Sequence, residues 1–351
     1  MIDADAAERL AATAARLLPP SLAPSFDARF IRSDRLFDAY VTRLTLDVLR
    51  AVPAELDARL AAVPLAWMKR RLAEHGPPDM DAAELRAEQE RHDPAGLPSY
   101  ALAEAAARDY PTFLAGTRSG EDLLLGPKQL ALWRSYFSND HVLYAVNNRV
   151  GAVALERWLR PGANTILELG AGMGSGTAAA LAQVAGAGRL GDVGSYRVTE
   201  LVPTFLRFAQ RHVDERFAGL PGLTFGALDM NQPFAPQGVA PRSVSVVYAV
   251  NTLHVARDLA ATLGEIHAAL EPGGQLVFAE CVRPADGQTL YPEFVFNMLA
   301  TFRARGFLTP GQWTKALDAA GFVDVRIFPD VARIHEAVPG FCLGAIGATR
   351  P

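Results

Sequence analysis

Apolar residues follow two different rhythms along this chain. In the first 140 residues they recur every three to four positions, in AERLAATAARLL, FDAYVTRLTLDVLRAV, AELDARLAAVPLAWMKRRLAEHG and AAELRAEQERH. That spacing predicts amphipathic helices. PPSLAPS, GPPD and HDPAGLP lie between them and read as turns. The helical pattern resumes from Pro127 to Leu159, and no repeat of solenoid length is visible.

After Pro161 the rhythm changes. TILEL, YRVTEL, LTFGALD, VSVVYAV and QLVFAE are strand-length runs of apolar or β-prone residues. GTAAALAQVAG, PTFLRFAQRHVDERFA and DLAATLGEIHAAL alternate with them as helices, with Leu259, Leu263, Ile266 and Leu270 on one face. Such alternation predicts an α/β fold, a mostly parallel sheet covered by helices on both faces. TPGQWTKALDAAG reads as a further helix, then VDVRIF and FCLGAIGA as two strands with no convincing helix between them. That last connection suits an antiparallel pair at the sheet edge. The expected division is a helical region over residues 1–140 and the sheet-bearing domain over 141–351.

Composition narrows the classes. Half of the 351 residues are hydrophobic, 21% are charged and the formal net charge is -4. Nucleic-acid binders concentrate positive charge, so no such partner is expected. Cys281 and Cys342 sit in apolar runs and read as buried thiols of a reducing compartment. The acidic N-terminus lacks the positive charge of a signal peptide, and no apolar run reaches the roughly 18 residues of a membrane span. The expectation is a soluble cytoplasmic protein without a membrane partner. Scattered acids and histidines give no metal-ligand spacing.

Residues 166–177, ILELGAGMGSGT, carry the chemistry. Ligands of an open α/β sheet bind beyond the carboxyl ends of its strands. A dinucleotide turn needs G-x-G-x-x-G, but Ser175 and Thr177 occupy the sixth position in the two registers. A phosphate loop needs a lysine, and none is near. Glu168, two residues before the turn, repels phosphate and suits a cationic ligand. Glu200, with Leu201 beside it, ends the second strand, where a carboxylate can accept both ribose hydroxyls. Asp229 closes the third strand, placed for an adenine amino group, with Met230 against the ring. Gly170, Gly172 and Gly174 let backbone approach the ligand, and Asn251 after the fourth strand is placed for its amine. One ligand satisfies this set: S-adenosylmethionine.

ELGAGMGSGT resembles motif I of class I S-adenosylmethionine-dependent methyltransferases, and LEPGGQLVFAE resembles their fifth-strand motif. YPTFLAGTRSGEDLLLGPKQLALWRSYF, LYAVNN, LDMNQPF and YAVNTLHVARDL extend the likeness to the C-methyltransferase domains of polyketide synthases and their stand-alone relatives. The resemblance covers residues 110–282. It implies a Rossmann-like methyltransferase fold; the helical region, most of which lies outside the resemblance, is expected to form a lid, part of the acceptor pocket and a dimer surface. It also matches Tyr144 and Asn148 to a tyrosine and an asparagine that lie over the cofactor's methionine end, a helix-capping asparagine being the alternative for Asn148.

Methyl transfer needs alignment and, for a protonated acceptor, a base. His254 follows the fourth strand and Glu280 ends the fifth, so adjacent parallel strands bring both to one sheet edge. The resemblance implies that they form a catalytic dyad; the alternative is that His254 caps the next helix while Glu280 pairs with Arg283. His141, Tyr291, Phe294, Asn297 and Met298 are the expected acceptor wall, or plain core. The implied acceptor is a small molecule of polyketide type, an enol or a hydroxyl. The chain reads as free-standing, which favours oxygen; carbon of a β-dicarbonyl is the alternative, and an NAD(P)-dependent oxidoreductase is the alternative of another class.

Overall fold

The structure is a computed structural model that describes residues 4–217 and 219–351. The chain forms two compact units. One comprises Met1–Leu17, Ala23–Tyr144 and Asp286–Gly306; the other comprises Leu18–Leu22, Ala145–Ala285 and Phe307–Pro351. The sequence reading, with its boundary at 140/141, left residues 286–306 with the sheet. The polar ties described next explain the difference.

In the helical unit, the Ala28–Arg50 helix starts at Asp27, whose carboxylate accepts from Phe30 N at 2.8 Å. Leu36, Phe37, Tyr40, Val41, Leu44 and Val48 give it a buried stripe at helical spacing. The Ala58–His75 and Ala82–His92 helices begin at Asp57 and Asp81, the latter in a capping box with Glu84. Segment 286–306 is fastened to these helices. Thr289 N and Oγ1 donate to Glu74 Oε2, Trp67 Nε1 donates to Glu293 Oε2 at 2.8 Å, and Tyr110 OH donates to Phe294 O at 2.5 Å. Buried polar groups must find partners, and these lie in the helical unit although the segment follows the fifth strand in sequence.

The second unit holds one seven-stranded sheet: β1 Asn164–Leu169, β2 Val193–Thr199, β3 Leu223–Gly226, β4 Val244–Val250, β5 Leu270–Cys281, β6 Val323–Phe328 and β7 Leu343–Thr349, in the order β3-β2-β1-β4-β5-β7-β6. β1 to β5 are parallel, and β7 runs antiparallel to both β5 and β6. All seven residues of β4 are buried, as expected for a strand with both faces covered. The strand order reverses between β1 and β4, which makes their carboxyl ends the expected ligand crevice.

Two local readings change. A helix, Val331–Ala337, does connect β6 to β7, capped by Asp330, whose carboxylate accepts from Arg333 N. Its seven residues were too few to show a period. The segment 127–159 is helical as expected, in two helices, Leu130–Tyr136 and Val142–Trp158. β3 stops at Gly226, so Asp229 lies in the following turn and does not close the strand.

Candidate active site

β1 delivers the chain into three left-handed glycines, Gly170 (φ 61°), Gly172 (φ 58°) and Gly174 (φ 82°), and the Ser175–Gly186 helix starts immediately after. A Cβ on Gly170 would stand 2.5 Å from Thr252 Cγ2, and one on Gly174 would stand 2.9 Å from Ala209 Cα. Both positions therefore need glycine for packing as well as for backbone. A Cβ on Gly172 would meet nothing within 4 Å, so the turn is open above that residue. Ala171 N donates to Thr199 O at 2.9 Å and ties the turn to the end of β2.

The three acids differ in role. Glu168 is buried; its Oε2 accepts from Thr177 Oγ1 at 2.7 Å and from Tyr196 OH at 2.9 Å. Burial pushes its carboxyl up to about 7, against the opposing effect of the two hydroxyls. Glu200, just past β2, accepts from Gly172 N at 2.9 Å and from Val202 N at 2.8 Å. Burial raises its pKa too, with the backbone donors opposing. Leu201 beside it is exposed. Asp229 Oδ1 accepts from Asn231 N at 2.9 Å and Asn231 Nδ2 at 3.0 Å, a local Asx turn, and Met230 O accepts from Thr262 Oγ1. None of Glu168, Glu200 and Asp229 has an ion-pair partner among the described residues. Glu200 thus borders the open turn, while Glu168 and Asp229 are taken up by the hydroxyl and amide donors named.

At the other side of the crevice, β4 and β5 pair in parallel, with Val250 opposite Ala279. Asn251 N donates to Ala279 O at 2.8 Å, with Asn251 itself at φ 51°. The chain then turns so that Thr252 N, Leu253 N and His254 N donate to Glu280 Oε1 at 3.1, 2.8 and 3.3 Å. Glu280 Oε2 lies 2.6 Å from His254 Nδ1. A carboxylate only accepts, so Nδ1 carries the proton and Nε2 holds the basic lone pair. Both residues are buried, and the Phe307 ring stands 5.3 Å from the imidazole. The capping alternative is displaced: Asp258 caps the Leu259–Ala269 helix, and Arg283 Nε donates to Phe307 O.

The remaining sequence-derived positions fall as follows. Asn148 is fully buried. Asn147, which the sequence reading passed over, donates through Nδ2 to Asn251 Oδ1. The signal for it was available: Asn147 lies four residues after Leu143 and three before Val150, a polar group on a buried stripe. Tyr144 packs in the helical unit among Tyr136 and Phe137, with ring centroids 5.4 and 5.3 Å away. His141 has both ring nitrogens engaged, one with Ser99 Oγ and one with Tyr136 O, each at 2.8 Å, and burial lowers its pKa to about 4. That places it in the interior of the helical unit as a neutral, fully bonded ring. Tyr291 OH donates to Asp34 at 2.9 Å; Phe294 packs against Tyr110 and Trp67; Met298 and Asn297 are buried beside them in sequence. Phe294, Asn297 and Met298 thus belong to the buried interior of the helical unit, and Tyr291 is half-buried at its margin.

Comparison with known proteins bears on this geometry. Residues 167–276 match the family model of a methyltransferase domain. The chain is 30% identical over 323 residues to polyketide synthase ThaG of Burkholderia thailandensis, a match that covers 84% of this chain and 6% of that protein. It is 33% identical over 170 residues to methyltransferase calH of Penicillium decumbens, covering 45% of this chain and 43% of that protein. The chain thus spans a small part of the synthase it resembles and under half of calH in sequence. In fold it superposes on the CurJ carbon methyltransferase with TM-score 0.67 and 20% identity over the whole of both chains. It also superposes on the trans-methyltransferase CalH in complex with SAH, with TM-score 0.66 and 20% identity over 92% of this chain and 90% of that one. The nicotinamide alternative gives way to these findings. The chain carries a class I, S-adenosylmethionine-dependent methyltransferase domain that resembles the C-methyltransferase domains of polyketide synthases.

Proposed function

We propose that this domain methylates the carbon between two carbonyls of a polyketide-type β-dicarbonyl acceptor, with His254 as the base and Glu280 as its partner. The observation that carries the reading is the 2.6 Å contact of His254 Nδ1 with Glu280 Oε2 beyond the carboxyl ends of β4 and β5. When bound, S-adenosylmethionine supplies an electrophilic methyl group on sulfur. Gly170, Gly172 and Gly174 admit its methionine portion, and Glu200 and Asp229 are the candidates for its ribose and adenine. His254 Nε2 removes the acceptor's acidic C–H proton, and Glu280 holds the other side of the ring and stabilises the imidazolium that results. The enolate left behind is nucleophilic at carbon.

The sequence reading leaned to oxygen. Likeness to a synthase and to a carbon methyltransferase supports carbon instead. The test incubates labelled S-adenosylmethionine with β-keto thioesters, carrier-bound and carrier-free, and with phenols, and locates the label by NMR. A methoxy product would transfer the reading to oxygen, and absence of label from every β-dicarbonyl would remove the substrate class. His254→Ala is expected to keep cofactor affinity and lose turnover.

A further inference from the structure

A cavity of about 320 Å³ lies within the helical unit, and none of the residues placed around the glycine turn or the dyad lines it. Its walls are the Ala28–Arg50 helix, the loop 76–80 and the Ala82–His92 helix. The loop is stiff. Pro77 and Pro78 fix two consecutive φ angles, and the capping box of Asp81 with Glu84 pins its far end. Ala39, Pro77, Pro78, Met80 and Leu85 supply an apolar lining, while Asp38 and His75 stand together on one side. A few convergent polar groups on apolar walls are the usual make-up of a small-molecule site.

A buried arginine sets both polar groups. Arg71 is 1% exposed; its Nη2 donates to Asp38 Oδ1 at 2.5 Å, its Nε donates to Thr42 Oγ1 at 3.1 Å, and its Nη1 stands 3.0 Å from His75 Nε2. A guanidinium only donates, so His75 Nε2 accepts and the ring carries its proton on Nδ1. That N–H lies 3.7 Å from Asp38 Oδ2, too far for a hydrogen bond, and neither atom makes one elsewhere among the described residues. A single oxygen that both donates and accepts reaches the two of them at about 2.8 Å each. Charge on such a ligand is disfavoured with either sign. Asp38 and Asp79 repel an anion. Burial, and then the Arg71 charge, hold the His75 imidazole below its ordinary pKa, so the same spot resists an added cation.

We infer that this cavity is a binding site for a small, neutral, mainly apolar alcohol. The hydroxyl donates to Asp38 Oδ2 and accepts from His75 Nδ1, and the carbon body lies against the loop prolines, Met80 and Leu85. Arg71 holds the carboxylate and the ring at the spacing that one hydroxyl spans. The inference goes beyond the proposed methyl transfer and does not depend on it.

The test uses the full chain with isotope-labelled methionine methyls, of which Met80 reports on the cavity and the other five of the six methionines serve as controls. Benzyl alcohol is compared by NMR titration with benzyl methyl ether, which lacks the donor, and with benzylamine and benzoate, which carry charge. Expected is a shift of the Met80 methyl alone, with a Kd on the order of 1 mM for benzyl alcohol and about tenfold weaker binding of the other three. Ala39→Trp fills the cavity and is expected to abolish the shift. His75→Phe removes the donor and is expected to weaken benzyl alcohol about tenfold. Should His75→Phe fail to fold, the ranking of the four ligands and Ala39→Trp decide. The inference is overturned by no Met80 shift with benzyl alcohol, by equal or tighter binding of the ether, amine or acid, or by a shift that survives Ala39→Trp. Unchanged affinity in a folded His75→Phe protein overturns it as well. A Met80 shift in a protein that transfers no methyl group would sink the proposed reaction and leave this site standing.

Discussion

Replacing Glu280 by glutamine removes the carboxylate of the proposed dyad with little change of shape. In the wild type, Oε1 accepts three backbone N–H groups from residues 252–254, and Oε2 faces His254 Nδ1 at 2.6 Å. A glutamine keeps its carbonyl for the three amides, so the turn after β4 survives. The glutamine amide nitrogen then faces His254 Nδ1, so the ring must turn to the tautomer with its proton on Nε2 and loses the base, and the negative charge beside the imidazolium is lost as well. Spread over the two oxygens and the two ring nitrogens, the charges act over about 4 Å, which at an effective dielectric near 20 amounts to about 4 kcal/mol. A loss of ~4 kcal/mol at the transition state lowers kcat about 10³-fold. The assay is single-turnover transfer of labelled methyl to a β-keto thioester, alongside calorimetry with S-adenosylhomocysteine. Expected are a slow reaction and an unchanged Kd. If Glu280→Gln keeps kcat within tenfold of wild type, the carboxylate does not stabilise a developing imidazolium, and proton removal belongs to another group.

Further expectations concern the turn and the buried ionisable groups. Gly174→Ala places a methyl 2.9 Å from Ala209 Cα at φ 82° and is expected to cost about 1–3 kcal/mol of stability, read as a lowered Tm; an unchanged Tm contradicts the packing. Gly172→Ala meets no neighbour, so its stability cost is limited to about 1–2 kcal/mol of left-handed strain, while S-adenosylhomocysteine affinity falls sharply because the methyl projects over the open turn. Glu168 has a folded pKa of about 7 against a reference of 4.5, so the native state holds its proton longer than the unfolded chain does. Its contribution is present at low pH and is lost as pH rises from about 4.5 through about 7, ~3 kcal/mol in all. Glu168→Gln should therefore gain Tm relative to wild type at pH 8 and not at pH 4; equal differences at both values refute this. His141 runs the other way: depressed to about 4 from 6.5, it supplies stability above pH 6.5 that is lost as pH falls through 4, and His141→Gln should flatten that acid limb in a pH series of melts.

Much of the sheet was legible because its signals are local. The runs TILEL, VSVVYAV and QLVFAE announce strands through their own side chains, and the alternation of strands with helices dictates a parallel sheet. Glycines 170, 172 and 174 announced a turn of close backbone approach, and the structure shows them at left-handed φ values that few other residues tolerate. The Val331–Ala337 helix stayed hidden because two turns carry too little periodicity, and the end of β3 because LTFGALD continues strand-like past Gly226.

By itself, then, the sequence determined the two rhythms, the glycine turn, the acids around it, and the adjacency of His254 and Glu280 at the ends of neighbouring strands. Tertiary structure decided the rest. It committed His141 to Ser99 and Tyr136, turned Glu168 toward Thr177 and Tyr196, and gave residues 286–306 to the helical unit. It also set Asn147 against Asn251, 104 positions away. The physical reason is common to these cases. Periodicity and backbone preference are written within a few residues, but the partner of a buried polar group is chosen by whatever the finished fold brings within 3 Å, and no short stretch of chain encodes that choice.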